Sequence, residues 1–167
     1  MMYLLDTNVF IEASRLYYHP DIAPYFWQWL REQHEAGNVG SIEAVKKEID
    51  GGGKKKLEPL SLWAAQLPKS FWAAPDVSTV QSFRTLTDWV QHPDRQYRDD
   101  ARREFLAIAD FWIVAQAHGT GQTVVTRELA APDSKKRVLI PDACNGIGVS
   151  FQEPFSMYRK LGLNFRC

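Results

Sequence analysis

The chain has 167 residues and a mass of 19.1 kDa, within the usual size of one domain, and 45% of it is hydrophobic, enough to close a single core. Its 20 Lys+Arg and 20 Asp+Glu cancel to a net charge of zero, which argues against a broadly basic duplex-coating protein and against an acidic disordered tail. The sum conceals a gradient, because residues 1–40 carry 2 basic and 5 acidic side chains whereas residues 126–167 carry 7 basic and 4 acidic. Two cysteines, Cys144 and Cys167, are too few for a disulfide framework and form no CxxC pair for zinc. No run reaches the roughly 18 apolar residues of a membrane helix, and the apolar start carries Asp6 and no basic leader. A soluble cytoplasmic protein with no membrane partner is the expectation.

In chain order, Met2 to Leu5 reads as a short apolar strand buried on both faces, stopped by Asp6-Thr7. Val9, Phe10, Ala13, Leu16 and Tyr17 then follow helical spacing from Asn8 to Tyr18. A second helix is predicted from Ile22 to about Glu35, with Pro24 in its first turn and Gly37-Asn38 closing it. A brief strand or turn at Asn38–Ser41 leads to a helix capped by Ser41, with Ile42, Val45 and Ile49 on one face, broken by Gly51-Gly-Gly-Lys-Lys-Lys. The Trp-rich middle, from Leu57 to His92, reads as helical segments interrupted by Pro59, Pro68, Pro75 and Pro93. Helices are predicted over Ala101–Leu106 and again from Ala109, the second nearly all apolar, ended by Gly119 and Gly121. Strands follow at Thr123–Thr126, Arg137–Pro141 and near Val149–Phe151, with a last helix at Pro154–Leu161. Strands interleaved with helices predict one α/β domain, a three-layer α/β/α sandwich with a mainly parallel central sheet.

Open parallel sheets bind ligands beyond the carboxyl ends of their strands, where strand order reverses. Asp6 and Glu128 fall just after predicted strands, Asp110 opens the apolar helix, and Glu48 lies on the helix after Ser41. Carboxylates without histidine or thiolate company suit hard divalent cations, Mg²⁺ or Mn²⁺. Such an ion can activate water for phosphodiester hydrolysis. Each acid also has a plainer role: Asp6 and Asp110 suit helix N-caps, and Glu128 suits a loop pair with Arg127. Asp110 is nevertheless flanked by Ala109 and Phe111-Trp112-Ile113-Val114, and a buried acid is costly without a partner. Glu43 competes with Glu48, but the two point roughly 140° apart on a helix. Glu48 lies nearer the stripe of Ile42, Val45 and Ile49 and is preferred.

These segments resemble the PIN domain, the metal-dependent nuclease fold of VapC-type toxins. The resemblance is carried by Leu4-Leu-Asp-Thr-Asn-Val-Phe, Ser41 through Val45 to Glu48-Ile49, Ala109-Asp110 with Ile113-Val-Ala-Gln-Ala, and Val124-Val-Thr-Arg-Glu128. The last of these, with Ile140-Pro-Asp-Ala-Cys144 and the Trp-rich middle, resembles more narrowly the DUF4411 branch of PIN-like proteins. The resemblance implies a Mg²⁺- or Mn²⁺-dependent endoribonuclease acting on RNA, and a toxin with a cognate antitoxin protein, with a homodimer as one assembly. It matches Asp6, Glu48 and Asp110 to the metal-holding acids, Thr126 to the threonine that orients the site, and Asn8 to a polar residue supporting the first acid. Glu128 stands where many relatives carry aspartate, and Asp142 is a reserve acid.

Lys46, Lys47, Lys54 to Lys56, Arg127 and Lys135 to Arg137 are the candidate phosphate contacts, or a solvated face. Trp27 and Trp112 are assigned to the core, and Trp63, Trp72 and Trp89 to a side wall or a partner surface. The glycine-lysine run lacks the GxxxxGK[ST] form of a phosphate loop, and Gly146-Ile-Gly148 is too short for a dinucleotide fingerprint. The four histidines have no ligand spacing, and His118 is read as a helix C-terminal residue. Two other functions are carried alongside the nuclease: a non-catalytic PIN-like binding or scaffold module, and a small-molecule phosphohydrolase.

Overall fold

The structure, a computed structural model, describes residues 2–51 and 59–165. Five strands form one parallel sheet: β1 (Tyr3–Leu5), β2 (Val39–Ile42), β3 (Trp72–Ala73), β4 (Thr123–Val125) and β5 (Phe151–Gln152), in the order β3-β2-β1-β4-β5. Register runs Tyr3 to Val39 on one side of β1 and Tyr3 to Thr123 on the other. Every residue of β1, β2 and β4 is buried, as apolar strands sandwiched between helical layers must be.

Around this sheet pack α1 (Thr7–Glu12), α2 (Pro24–Glu35), α3 (Glu43–Ile49), α4 (Leu60–Ala65), α5 (Val77–Gln91), α6 (Asp99–Ala107), α7 (Ala109–Thr120), α8 (Ile140–Ile147) and α9 (Pro154–Lys160). The result is the expected three-layer α/β/α fold. A π-helical turn, Ala13–Tyr17, extends α1. Pro24 opens α2, where its missing N–H costs nothing. Asp76 caps α5 by accepting from the Thr79 amide at 2.8 Å while the Thr79 hydroxyl accepts from the Asp76 amide. In α7, Ala109–Phe111 and Ile113–Ala117 are all buried, which explains a helix apolar on nearly every side.

Several expectations are corrected. Ser41 is not a helix cap: it lies in β2, its hydroxyl donates to the Leu5 carbonyl at 2.6 Å, and Ile42 precedes α3 instead. The predicted strand at Arg137–Pro141 is a loop leading into α8, because Pro141 occupies the first helical turn and the Glu128 carboxylate takes the Ile140 amide. β3 lies inside the Trp-rich middle, and Phe71 and Trp72 belong to the core, with ring centroids 6.2 and 5.9 Å from that of Phe10. Trp63 and Trp89 pack partly buried against that core, while Trp112, expected within it, is half-buried. Gly119 does not end α7. A Cβ there would stand 2.7 Å from the Ser78 carbonyl carbon and oxygen, so it is the point at which α5 and α7 close on each other. Gly121, at φ +70°, ends the helix. Among the described residues no helix is long and apolar enough to cross a membrane.

Candidate acidic site

Strand order reverses about β1: the chain runs outward through β2 and β3 on one side and β4 and β5 on the other. The carboxyl ends of β1 and β4 therefore face the crevice where ligands bind in such sheets. Asp6 ends β1 and Thr126 ends β4, and the two meet although they stand 120 residues apart. Asp6 is fully buried. Its amide donates to the Val125 carbonyl at 3.0 Å, and its Oδ2 accepts from the Thr126 hydroxyl at 3.1 Å. Its Oδ1 is buried without a hydrogen-bond partner among the described residues. The Thr126 oxygen in turn accepts from the Glu128 amide at 3.1 Å, so one threonine joins the first acid to the loop bearing the last.

Glu48 and Glu128 are held alike, each on the start of a helix. Glu48 reaches from α3 to accept from the Thr7 hydroxyl at 2.6 Å and from the Ala109 amide at 3.1 Å, at the head of α7. Glu128 accepts from the Ile140 amide at 2.8 Å, at the head of α8, and from the Arg137 guanidinium at 2.6 Å. Exposed N–H groups and the helix dipole favour a carboxylate at both places. Asp110, only 7% exposed, lies between these acids with Arg137 Nη2 3.9 Å from its Oδ2.

The electrostatic result is a surplus of negative charge that one guanidinium does not cancel. Burial, then the charge of Glu128, pushes the Asp6 carboxyl from 3.8 up to about 7, against the opposing hydrogen bonds from Thr126 and the Thr7 backbone. Burial, then Asp6, Glu128 and Glu48, pushes Asp110 up to about 8, with Arg137 opposing. Both acids stand several pH units from their ordinary range because the folded chain leaves their charge poorly compensated. Perturbation of this kind, in a crevice, is characteristic of functional sites.

Asp6, Glu48, Asp110, Glu128 and Thr126 thus share one neighbourhood. Asn8 is half-buried on the first turn of α1, two residues beyond Asp6. Asp142 does not join them: both of its oxygens accept the Ala131 amide at 3.1 Å, bracing the loop after β4. Arg127 points elsewhere, pairing with Glu12 at 2.7 Å beside the Phe155 ring. Lys46 pairs with Asp50, and Lys54 to Lys56 lie outside the described residues. Sequence reasoning missed Thr7 as the support of Glu48 and saw Arg137 only as a phosphate contact. The Asp-Thr-Asn order after β1 was the available signal for Thr7. For Arg137 it was the excess of acids itself.

Whether a divalent ion suits this site is decided by the donors. Among the described residues no three His, Cys, Asp or Glu side chains are spaced around one point for an ion, and Glu48 and Glu128 each spend oxygens on protein donors. Mg²⁺ commonly takes only one or two carboxylates and completes its shell with water and substrate. Asp6 and Asp110 meet that requirement: both are hard oxygen donors with poorly compensated charge, and the Asp6 Oδ1 has no partner among the described residues.

The family described as a domain of unknown function, DUF4411, matches residues 3–165. No curated protein and no solved structure matches the chain.

Proposed function

We propose, for a chain that belongs to the DUF4411 family, the function of a PIN-like metal-dependent endoribonuclease that hydrolyses RNA phosphodiester bonds. The observation that supports it most is the pair Asp6 and Asp110, buried in the sheet's crevice with their carboxyls raised to about 7 and about 8 and one Asp6 oxygen without a partner among the described residues. Asp6 and Asp110 would hold a Mg²⁺ or Mn²⁺ ion, with Glu48 and Glu128 flanking it. Such an ion, when bound, supplies a water acidic enough to attack phosphorus and positive charge for the phosphate oxygens. Thr126 fixes the Asp6 carboxylate through its hydroxyl. Thr7 and the Ala109 amide fix Glu48 at the mouth of the crevice. Arg137, whose side chain is 53% exposed, can leave Asp110 to receive a phosphate, since a guanidinium pairs with either group. The choice of RNA rests on the motif resemblance, as do the pairing with an antitoxin, the cytoplasmic setting and the homodimer.

The test is cleavage of RNA in Mg²⁺ or Mn²⁺ by purified wild-type protein, Asp6→Asn and Asp110→Asn. Both variants should keep the fold and lose cleavage and Mn²⁺ binding. Wild-type rates from either would overturn the site. A second reading, a non-catalytic scaffold, draws on the protein donors that already satisfy Glu48 and Glu128. It predicts no Mn²⁺ heat in calorimetry. For the toxin role, induced wild-type protein should arrest growth of its host and Asp6→Asn should not.

A further inference from the structure

Beside the acids runs a groove of about 490 Å³ that shares Glu48 and Ala109 with the site and continues past Glu43, Lys47, Ile108 and Trp112. We infer that this groove is a subsite for an unpaired nucleobase of the RNA, stacked on Trp112, next to the phosphate that the acids address. The inference rests on the nuclease reading for its substrate, and on the groove's own chemistry for the base.

Three observations carry it. Trp112 is a large, half-buried aromatic on the first turns of α7, two residues after Asp110, and it is held rather than loose: the Phe83 ring stands perpendicular to it with centroids 4.5 Å apart at 87°, and the Phe111 ring at 6.0 Å and 87°. An aromatic surface held in place is what a base needs for stacking, since every base has a π face. Apolar atoms of Ala44, Pro75, Ala107 and Ile108 supply the rest of the lining, and 490 Å³ lies within the range of small-molecule sites. Finally, Glu43 and Lys47 are exposed, one helical turn apart on α3, so they share a face. Lys46 is committed to Asp50, whereas Lys47 lines the groove and offers charge to a flanking phosphate. Glu43 offers a carboxylate to the N–H edge of a base.

Bases inside a duplex are covered on both faces by their neighbours, so only an unstacked base can reach Trp112. The site therefore discriminates for unpaired RNA. Two measurements test this on the intact protein. In Mn²⁺, cleavage of a single-stranded oligoribonucleotide should lose roughly 5- to 150-fold in kcat/KM on Trp112→Ala, chiefly through KM, with Trp112→Phe recovering most of it. Binding of guanosine and adenosine 5′-monophosphates, followed by calorimetry without any cleavage, should weaken in the same order. If Trp112→Ala cleaves with an unchanged KM and binds both nucleotides as wild type does, the groove assignment falls and the nuclease reading stands. If wild-type protein cleaves no RNA yet binds nucleotides in a Trp112-dependent way, the groove stands and the nuclease reading falls. Duplex RNA cut as readily as its unpaired strand would overturn the discrimination.

Discussion

Asp110→Asn should make the metal-free protein more stable, and by an amount that grows with pH. The folded chain holds the Asp110 carboxyl at about 8, against 3.8 for an unperturbed aspartate, with burial the largest cause. An acid raised in the folded state binds more protons there than in the unfolded chain. The stability attributable to Asp110 is therefore fullest below pH 3.8, falls as pH climbs, and stops falling above about 8. At about 1.4 kcal/mol per pH unit the penalty at pH 7 has an upper limit of about 4 kcal/mol. Asp6 titrates in the same window and shares the charge, so about 2–3 kcal/mol is the amount that asparagine should return. For a chain of this length that is roughly 4–12 °C in melting temperature. The assay is thermal unfolding in EDTA from pH 4 to pH 8.5. Wild type and Asp110→Asn should melt together at pH 4 and diverge steadily to pH 8. Saturating Mn²⁺ should then close the gap at pH 8 by stabilising wild type alone, by about 2.7 kcal/mol at a hundred times Kd. Melting curves that stay parallel across the whole pH range would refute the claim that the fold bears an uncompensated Asp110 charge.

Arg137→Gln removes the guanidinium that stands beside Asp110 and Glu128. It should tighten Mn²⁺ binding several-fold in calorimetry while weakening RNA binding, a divergence that simple misfolding would not give. Thr126→Val deletes the hydroxyl that Asp6 accepts from and that the Glu128 amide donates to. A loss of about 1–3 kcal/mol in urea unfolding is expected, with Mn²⁺ affinity falling as well. Asp142→Asn should leave Mn²⁺ binding unchanged in calorimetry, because that acid only braces Ala131. Gly119→Ala should cost about 1–3 kcal/mol in the same unfolding assay, since its methyl group meets the Ser78 backbone rather than a side chain that can turn away.

What could be read without coordinates was whatever the local pattern decided. Asp6 follows a run of apolar residues that can only be a buried strand, and Asp110 opens a helix whose neighbours are all apolar, so both acids were placed at sheet and helix ends. Helix phase favours Glu48 over Glu43, because Glu48 lies nearer the stripe of Ile42, Val45 and Ile49, all of which are buried. The donors were out of reach, being settled by contacts such as Ala109 to Glu48 across 61 residues. Val138-Leu-Ile140 shows how a short apolar run misleads: it suits a strand and the approach to a helix equally. The choice fell to Pro141 and to Glu128 taking the Ile140 amide. β3 leaves no signal in the sequence, because two residues carry no period.

The central position of β1 also orders events in time. Asp6 is translated well before the threonine that holds it, which follows 120 residues later. At roughly 5–20 residues per second, that interval is about 6–24 seconds. Throughout it β1 lacks one of its two neighbours, and Asp6 has neither Thr126 nor Arg137 beside it. A nascent chain truncated before β4 thus carries the leading carboxylate without the centre. The native sheet is deferred in the same way until β4 and β5 have been made.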